Sequence, residues 1–243
     1  MTTSRREFLS LPALAAGQSS SARSTKVVCV GGHPDDPESG CGGTLARYVA
    51  LGASVTIIYL TRGEAGIPGK SHEQAAAIRT AECEAACRIL RAKPVFAGQI
   101  DGATVVDKAA AVSLGKLIAG EDPNVVLTQW PIDTHLDHQA ASILTYRAWL
   151  AARGRFDLYF YEVDLGAQTM GFHPTHYVDV TTVRETKKAA LFAHKSQDGE
   201  AIYRDYHLAM ENFRGRESGC GAAEAFVYLA RLHSTAYLPG LGA

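Results

Sequence analysis

Lys26 to Gly31 reads KVVCVG and Ser54 to Leu60 reads SVTIIYL, with a helix-like stretch from Gly42 to Leu51 between them. This succession decides the fold. Short runs rich in β-branched residues form strands, and a helix between two of them is the crossover that a parallel pair requires. Working outward, Ser71-x-x-Gln74 is a capping box for a helix in which Ala75, Ile78, Ala81, Ala85 and Ile89 recur at helical spacing until Pro94. Val95 to Ala97 reads as a third strand, Lys108 to Ala119 as a helix and Asn124 to Gln129 (NVVLTQ) as a buried strand. Thr134-x-x-Asp137 opens the next helix, which Gly154 stops. Asp157 to Tyr161 and Tyr177 to Val180 read as strands, Thr182 to Ala193 and Glu200 to Arg214 as helices, and Ala225 to Leu229 as a final short run.

Strands alternating with helices predict an α/β fold, a single doubly wound, Rossmann-like domain with a mostly parallel sheet. Ligands in such sheets bind where loops leave the carboxyl ends of the strands, which points to residues 31–43, 61–70 and 129–138. A dinucleotide fingerprint does not fit, because the third glycine required after Gly40 and Gly42 falls on Leu45. With 243 residues, 47% of them hydrophobic and 20% charged, the chain has the composition of one ordinary globular domain and not of a disordered segment. A net charge of −1 gives no field to recruit nucleic acid, and a charged residue interrupts every apolar run before it reaches the length of a membrane span.

Residues 1–22 read as an address: Arg5 and Arg6 are the adjacent arginines of a twin-arginine-like signal, followed by the apolar run Phe8 to Ala16. The expected location is therefore periplasmic or extracellular, the alternative being a cytoplasmic protein whose first residues are a plain N-terminus, with the folded domain over residues 23–243. Of the five cysteines none forms a C-x-x-C pair, and Cys83 and Cys87, four apart on a helix, read as small buried hydrophobes.

Chemistry concentrates in two clusters. The loop after the first strand, Gly31-Gly32-His33-Pro34-Asp35-Asp36-Pro37-Glu38, carries an imidazole and three carboxylates on a backbone restricted by two prolines. His135-Leu136-Asp137-His138 follows the buried strand Asn124 to Gln129 and so lies at the same edge of the sheet, with Asp137 also suited to be the N3 acid of a capping box with Thr134. His33, Asp36 and His138 with one water make an open four-coordinate site of the catalytic zinc type. Asp35, left over beside it, is the candidate general base, and His135 the candidate oxyanion stabiliser or proton donor.

H-P-D-D followed about a hundred residues later by H-x-D-H resembles the PIG-L/LmbE-like family of zinc-dependent N-deacetylases, which act on N-acetylglucosamine-containing substrates. The likeness extends through Gly40-Cys-Gly-Gly-Thr-Leu45, Leu60-Thr-Arg-Gly-Glu64, Arg79 with Glu82, Gly171-Phe-His-Pro174, His194-Lys-Ser-Gln197 and Glu224-Ala-Phe226. It implies Zn2+ on His33, Asp36 and His138, Asp35 as base, His135 and Asp137 as a supporting pair, and Arg79 as a substrate-positioning residue. It further implies a small-molecule or glycoconjugate substrate and a homo-oligomer. Two departures stand out. The acidic residue that usually follows the second aspartate is replaced by Pro37, with Glu38 one place later, and no tyrosine stands just ahead of His135. The leading expectation is an N-deacetylase; the alternatives are a non-catalytic metal- and sugar-binding protein of the same fold, or another metal-dependent hydrolase.

Overall fold

A computed structural model of the chain describes residues 24–164 and 167–229; the expected leader, 1–22, lies outside them. The opening pattern is realised as β1 (Lys26–Gly31), α1 (Asp36–Ala50) and β2 (Ser54–Tyr59). There follow α2 (His72–Leu90), β3 (Lys93–Phe96), α3 (Lys108–Glu121), β4 (Val125–Gln129), α4 (Leu136–Ala151) and β5 (Asp157–Tyr161). The chain continues through β6 (His176–Asp179), α5 (Arg184–Leu191), α6 (Gly199–Ile202), a π-helical turn (Tyr203–His207), α7 (Leu208–Ser218) and β7 (Ala223–Leu229).

The seven described strands form one sheet in the order β3-β2-β1-β4-β5-β7-β6, mostly parallel as the alternation predicts. β3, β2, β1, β4 and β5 run parallel, and β7 inserts antiparallel between β5 and β6. Side chains alternate across the sheet. Cys29, Ile57 and Tyr59 pack under α1, α2 and α5, while Val28, Val30 and Ile58 pack with Leu114 of α3 and Leu144 and Trp149 of α4. Burial on both faces is why these strands are nearly unbroken apolar runs. From β1 the chain winds one way through β2 to β3, then returns to place β4 on the other side of β1. The loops leaving β1 and β4 therefore part in opposite directions at the carboxyl edge, and the crevice between them is where such folds bind ligands.

Several elements differ from the sequence reading for identifiable reasons. α1 begins at Asp36 and not at Gly42: Pro37 suits a first helical turn, and Asp36 and Glu38 put negative charge at its positive end. The glycines after them belong to the helix and serve packing, since a Cβ on Gly40 would run into the Tyr161 ring. In α2 the Ser71 and Gln74 capping box forms as expected. Its buried face, however, is Ala75, Arg79, Cys83, Ala86, Cys87 and Leu90, whereas Ile78 and Ile89 are exposed. The sheet selects a stripe of small residues that lets the helix lie close, with Arg79 turned inward. β3 includes Pro94, tolerated because this edge strand pairs on one side only. The cap of α4 is His135 in place of Thr134. The reading of Glu200 to Arg214 as one helix omits the π-helical turn within it. All five cysteines are free, and Cys83 and Cys87 are buried as expected.

Candidate metal centre and its cleft

β1 and β4 deliver the two clusters to one point. The β1 loop is closed by its own second aspartate, since the His33 N–H donates to Asp36 Oδ2 at 2.7 Å. One oxygen of Asp36 then faces His33 Nδ1 at 3.3 Å and the other faces His138 Nε2 at 3.2 Å. All three side chains are buried. Both imidazoles also meet a carboxylate on their far nitrogen. His33 Nε2 lies 3.0 Å from Asp101 Oδ1 and 3.0 Å from Asp137 Oδ2, and His138 Nδ1 lies 3.2 Å from Asp133 Oδ1.

A neutral imidazole has one N–H and cannot donate to carboxylates on both sides. Positive charge must therefore enter the cluster. Burial opposes protonation of both rings, yet Asp101, Asp137 and Asp36 hold His33 well above its ordinary value, and Asp36 and Asp133 carry His138 up to about 9. Asp36 is held well below the carboxylate range despite burial, chiefly by His138. This set of nitrogen and oxygen donors fits a divalent cation at the Asp36 side, with Asp101, Asp137 and Asp133 fixing the tautomer and direction of each ring from behind. The imidazoles of His33, His135 and His138 also bring ring nitrogens within 4.8 Å of one another, as do the ligand atoms of His33, Asp101 and Asp137.

Asp137 spends its acceptor capacity on this backing. Besides His33 it receives the Gly102 N–H at 2.8 Å and the Thr104 hydroxyl at 2.6 Å, so it is not the N3 acid of a capping box with Thr134. His135 does the capping: its Nδ1 accepts the Asp137 N–H at 3.2 Å, leaving the ring proton on Nε2. Half-buried between His33 and His138, it has its pKa lowered by burial first and by those two rings second.

Asp35 stands apart from the ring nitrogens. Its backbone takes φ 110°, a conformation that costs an L residue on the order of 1–3 kcal/mol and must be imposed by its surroundings. Arg79 imposes it from α2, donating to the Pro34 carbonyl and, at 3.0 Å, to Asp35 Oδ2. Gly63, at φ 67°, leaves room for that guanidinium where any Cβ would collide with it. Burial raises Asp35 to about 6, with Arg79 pulling the other way. Arg79 is thus no surface partner of Glu82, whose carboxylate instead accepts the Ser196 N–H and hydroxyl.

The departure at Pro37 resolves physically. Glu38, fully buried, accepts the Asp35 N–H at 3.2 Å and the Tyr59 hydroxyl at 2.6 Å, with His194 Nε2 3.5 Å away. It braces the strained loop from beneath. His194 is accordingly a buried support, while His176 packs with Tyr159 and Tyr228 and His173 is exposed.

A cleft of about 470 Å³ opens over this cluster, lined among others by Asp35, Arg79, Asp101, His135 and Asp164. A larger cavity of about 520 Å³ between α3 and α4 lies away from the cluster and holds none of its residues. Asp101 and Asp133 escaped the sequence reading. Asp101 precedes Gly102 in the loop after β3, at the same sheet edge as the clusters, and Asp133 stands two residues before His135; position at the carboxyl edge was the available signal.

The PIG-L family model, described as GlcNAc-PI de-N-acetylase, matches residues 28–149, from β1 through most of α4. The diacetylchitobiose deacetylase of Thermococcus kodakarensis is 29% identical over 221 residues, covering 84% of this chain and 83% of its own. Among solved structures, the N,N'-diacetylchitobiose deacetylase of Pyrococcus horikoshii with its inhibitor MPG superposes with a TM-score of 0.76 at 23% identity, covering 86% of this chain and 85% of its own. GalB, the 4-carboxy-2-hydroxymuconate hydratase of Pseudomonas putida KT2440, superposes with a TM-score of 0.74 at 21% identity over 88% of this chain and 99% of its own. A shared fold at these identities does not carry a shared reaction.

Proposed function

The chain belongs to the PIG-L family of deacetylases, and from that premise we propose that it is a zinc-dependent enzyme removing the acetyl group from an N-acetylglucosamine-containing sugar or glycoconjugate. The observation that carries this reading is Asp36 facing both imidazoles, with carboxylates behind each ring and Asp35 held alongside without touching either ring nitrogen. His33, Asp36 and His138 would hold the metal. A bound zinc ion polarises an amide carbonyl and makes an attacking water more acidic. In this reading Asp35 takes the proton of that water and later returns it to the departing amine, so the C–N bond breaks with acetate and a protonated amine as products. His135 presents its Nε2 proton to the oxygen that gains charge at the acyl carbon, and Asp137 holds both His33 and the start of α4 in place. Arg79 fixes the carboxylate of Asp35 while lining the cleft that receives the sugar.

The relatives named for diacetylchitobiose support an N-acetylated amino sugar as substrate class. The test is incubation of metal-loaded protein with a panel of N-acetylglucosamine conjugates, assaying released acetate. Release from one or more upholds the reading, and release from none, under conditions where the protein holds its metal, defeats it. No helix among the described residues is long and apolar enough to cross a membrane. We further propose that residues 1–22 direct export: Arg5→Lys with Arg6→Lys should keep the folded protein inside the cell, and equal exported amounts of variant and parent would reject this.

A further inference from the structure

Beyond the imidazoles the cleft is walled by Asp164 and Gln168 of the segment after β5, by Gln197, and by Ile202 of the helical stretch Gly199–Ser218. Two backbone irregularities meet on this wall. Asp164 takes φ 43°, a left-handed conformation that a non-glycine residue keeps only where its surroundings enforce it. His207 ends the π-helical turn, a rare form whose inserted residue re-aims the side chains that follow and which concentrates at functional sites. The two come into contact: His207 Nε2 lies 2.8 Å from Asp164 Oδ1, with His207 buried and the Asp164 side chain 14% exposed toward the cleft it lines.

The segment is also pinned to the metal cluster. The Ala167 and Gln168 N–H groups donate to the Asp164 carbonyl at 2.9 and 2.8 Å, and the Thr134 N–H donates to the Gln168 carbonyl at 3.2 Å. The Thr169 hydroxyl reaches Asp133 Oδ2 at 3.3 Å, the carboxylate that backs His138. Asp164 is therefore held at a set position relative to the acetyl-cleaving end of the cleft. It does not join the metal cluster: the candidate ligand groups are formed by other residues. A carboxylate on the cleft wall away from the metal cluster, with one oxygen within 2.8 Å of a buried histidine nitrogen, suits hydroxyl donors.

We propose that Asp164 is the residue that selects the sugar, its carboxylate paired with His207 and accepting a hydrogen bond from a ring hydroxyl of the N-acetylated sugar. This rests on the function proposed above. Gln168 lines the same cleft, while the Gln197 amide there is engaged with the Gly66 carbonyl and the Ser196 hydroxyl.

The test compares parent and Asp164→Asn on an N-acetylglucosamine glycoside and on each of its monodeoxy analogues, with metal content measured in the same preparations. Asparagine keeps the shape and accepts left-handed backbone, and Asp164→Gly, which takes that backbone without strain, serves as a second variant. Expected are unchanged metal content, kcat within about threefold, and KM raised by about tenfold to a hundredfold, the range for one hydrogen bond to a charged group. For one monodeoxy analogue parent and variant should become equal in kcat/KM, because the bond is already gone. His207→Gln should raise KM in the same direction by less. A parent that turns over the glycoside while both Asp164 variants match its KM would overturn the proposal and leave the function standing, as would an equal loss on every analogue. A metal-loaded parent that turns over no N-acetylglucosamine glycoside would remove the function and this inference with it.

Discussion

Replacing Asp133 by Asn probes the proposed metal centre without touching a proposed ligand. Asp133 Oδ1 faces His138 Nδ1 at 3.2 Å and accepts the His135 N–H at 2.8 Å, so it orients one ring through its edge and the other through its backbone. Carboxylates behind a metal-binding histidine are worth about tenfold to a hundredfold in metal affinity, or about 1.4–2.7 kcal/mol. The structure orders two such residues. Among the described residues Asp133 is the one carboxylate at the far nitrogen of His138, whereas His33 is backed by both Asp101 and Asp137, each able to hold the ring when the other is lost. Asp133→Asn should therefore fall near the hundredfold end and Asp101→Asn near the tenfold end, while acetate release at saturating zinc stays within a few-fold of the parent for Asp133→Asn. Zinc competition against a chromophoric chelator measures the affinities directly. Unchanged affinity in Asp133→Asn, or a larger loss in Asp101→Asn, would refute the assignment of these carboxylates.

Other consequences are independent of that pair. His138→Ala should lose most of its zinc by elemental analysis, and full occupancy in that variant would remove His138 from the ligand set. Gly40→Ala should destabilise by about 1–3 kcal/mol in urea unfolding, because the added methyl meets the Tyr161 ring, while Gly120→Ala, with open space around it in α3, should be neutral or stabilising. Glu211 is buried between Lys187 and Arg184, and although burial raises its pKa, Lys187 leads the groups that bring it below the ordinary value. Its contribution to stability is thus fully present above the unfolded carboxylate pKa of 4.5 and is lost as pH falls through the lower folded value. Melting temperature against pH should accordingly fall less steeply on the acid side for Glu211→Gln than for the parent; parallel curves would count against it.

Much of the architecture was legible because it rests on short-range patterns. KVVCVG and SVTIIYL are strands in any context that buries both faces, and the two histidine clusters follow β1 and β4 closely enough that sheet topology alone brings them together. What was illegible depends on contacts distant in sequence. Nothing in the local sequence shows that α2 turns Arg79 inward and leaves Ile78 outside; that follows from the close approach of Cys83 and Ala86 to the sheet and from the need of Asp35, 44 residues away, for a cationic partner. Asp101 lies 68 residues from His33 and becomes its partner only once β3 takes its place beside β2. The cap of α4 was misread because Asp137 had a local role available as a capping acid, and the more favourable role, backing a buried imidazole from the other cluster, is non-local.

Asp35 is where holding the metal and using it come apart. Asp35 is proposed to be the base and not a ligand, and Asp35→Asn keeps its shape and its hydrogen-bonding capacity while removing the ability to accept a proton. Zinc content and acetate release are measured on one preparation each of parent and variant, using an N-acetylglucosamine conjugate that the parent hydrolyses. Equal zinc and a fall in kcat of about a hundred- to ten-thousand-fold are expected. Loss of zinc from the variant would make Asp35 a ligand, and full zinc with an undiminished rate would contradict its role as base.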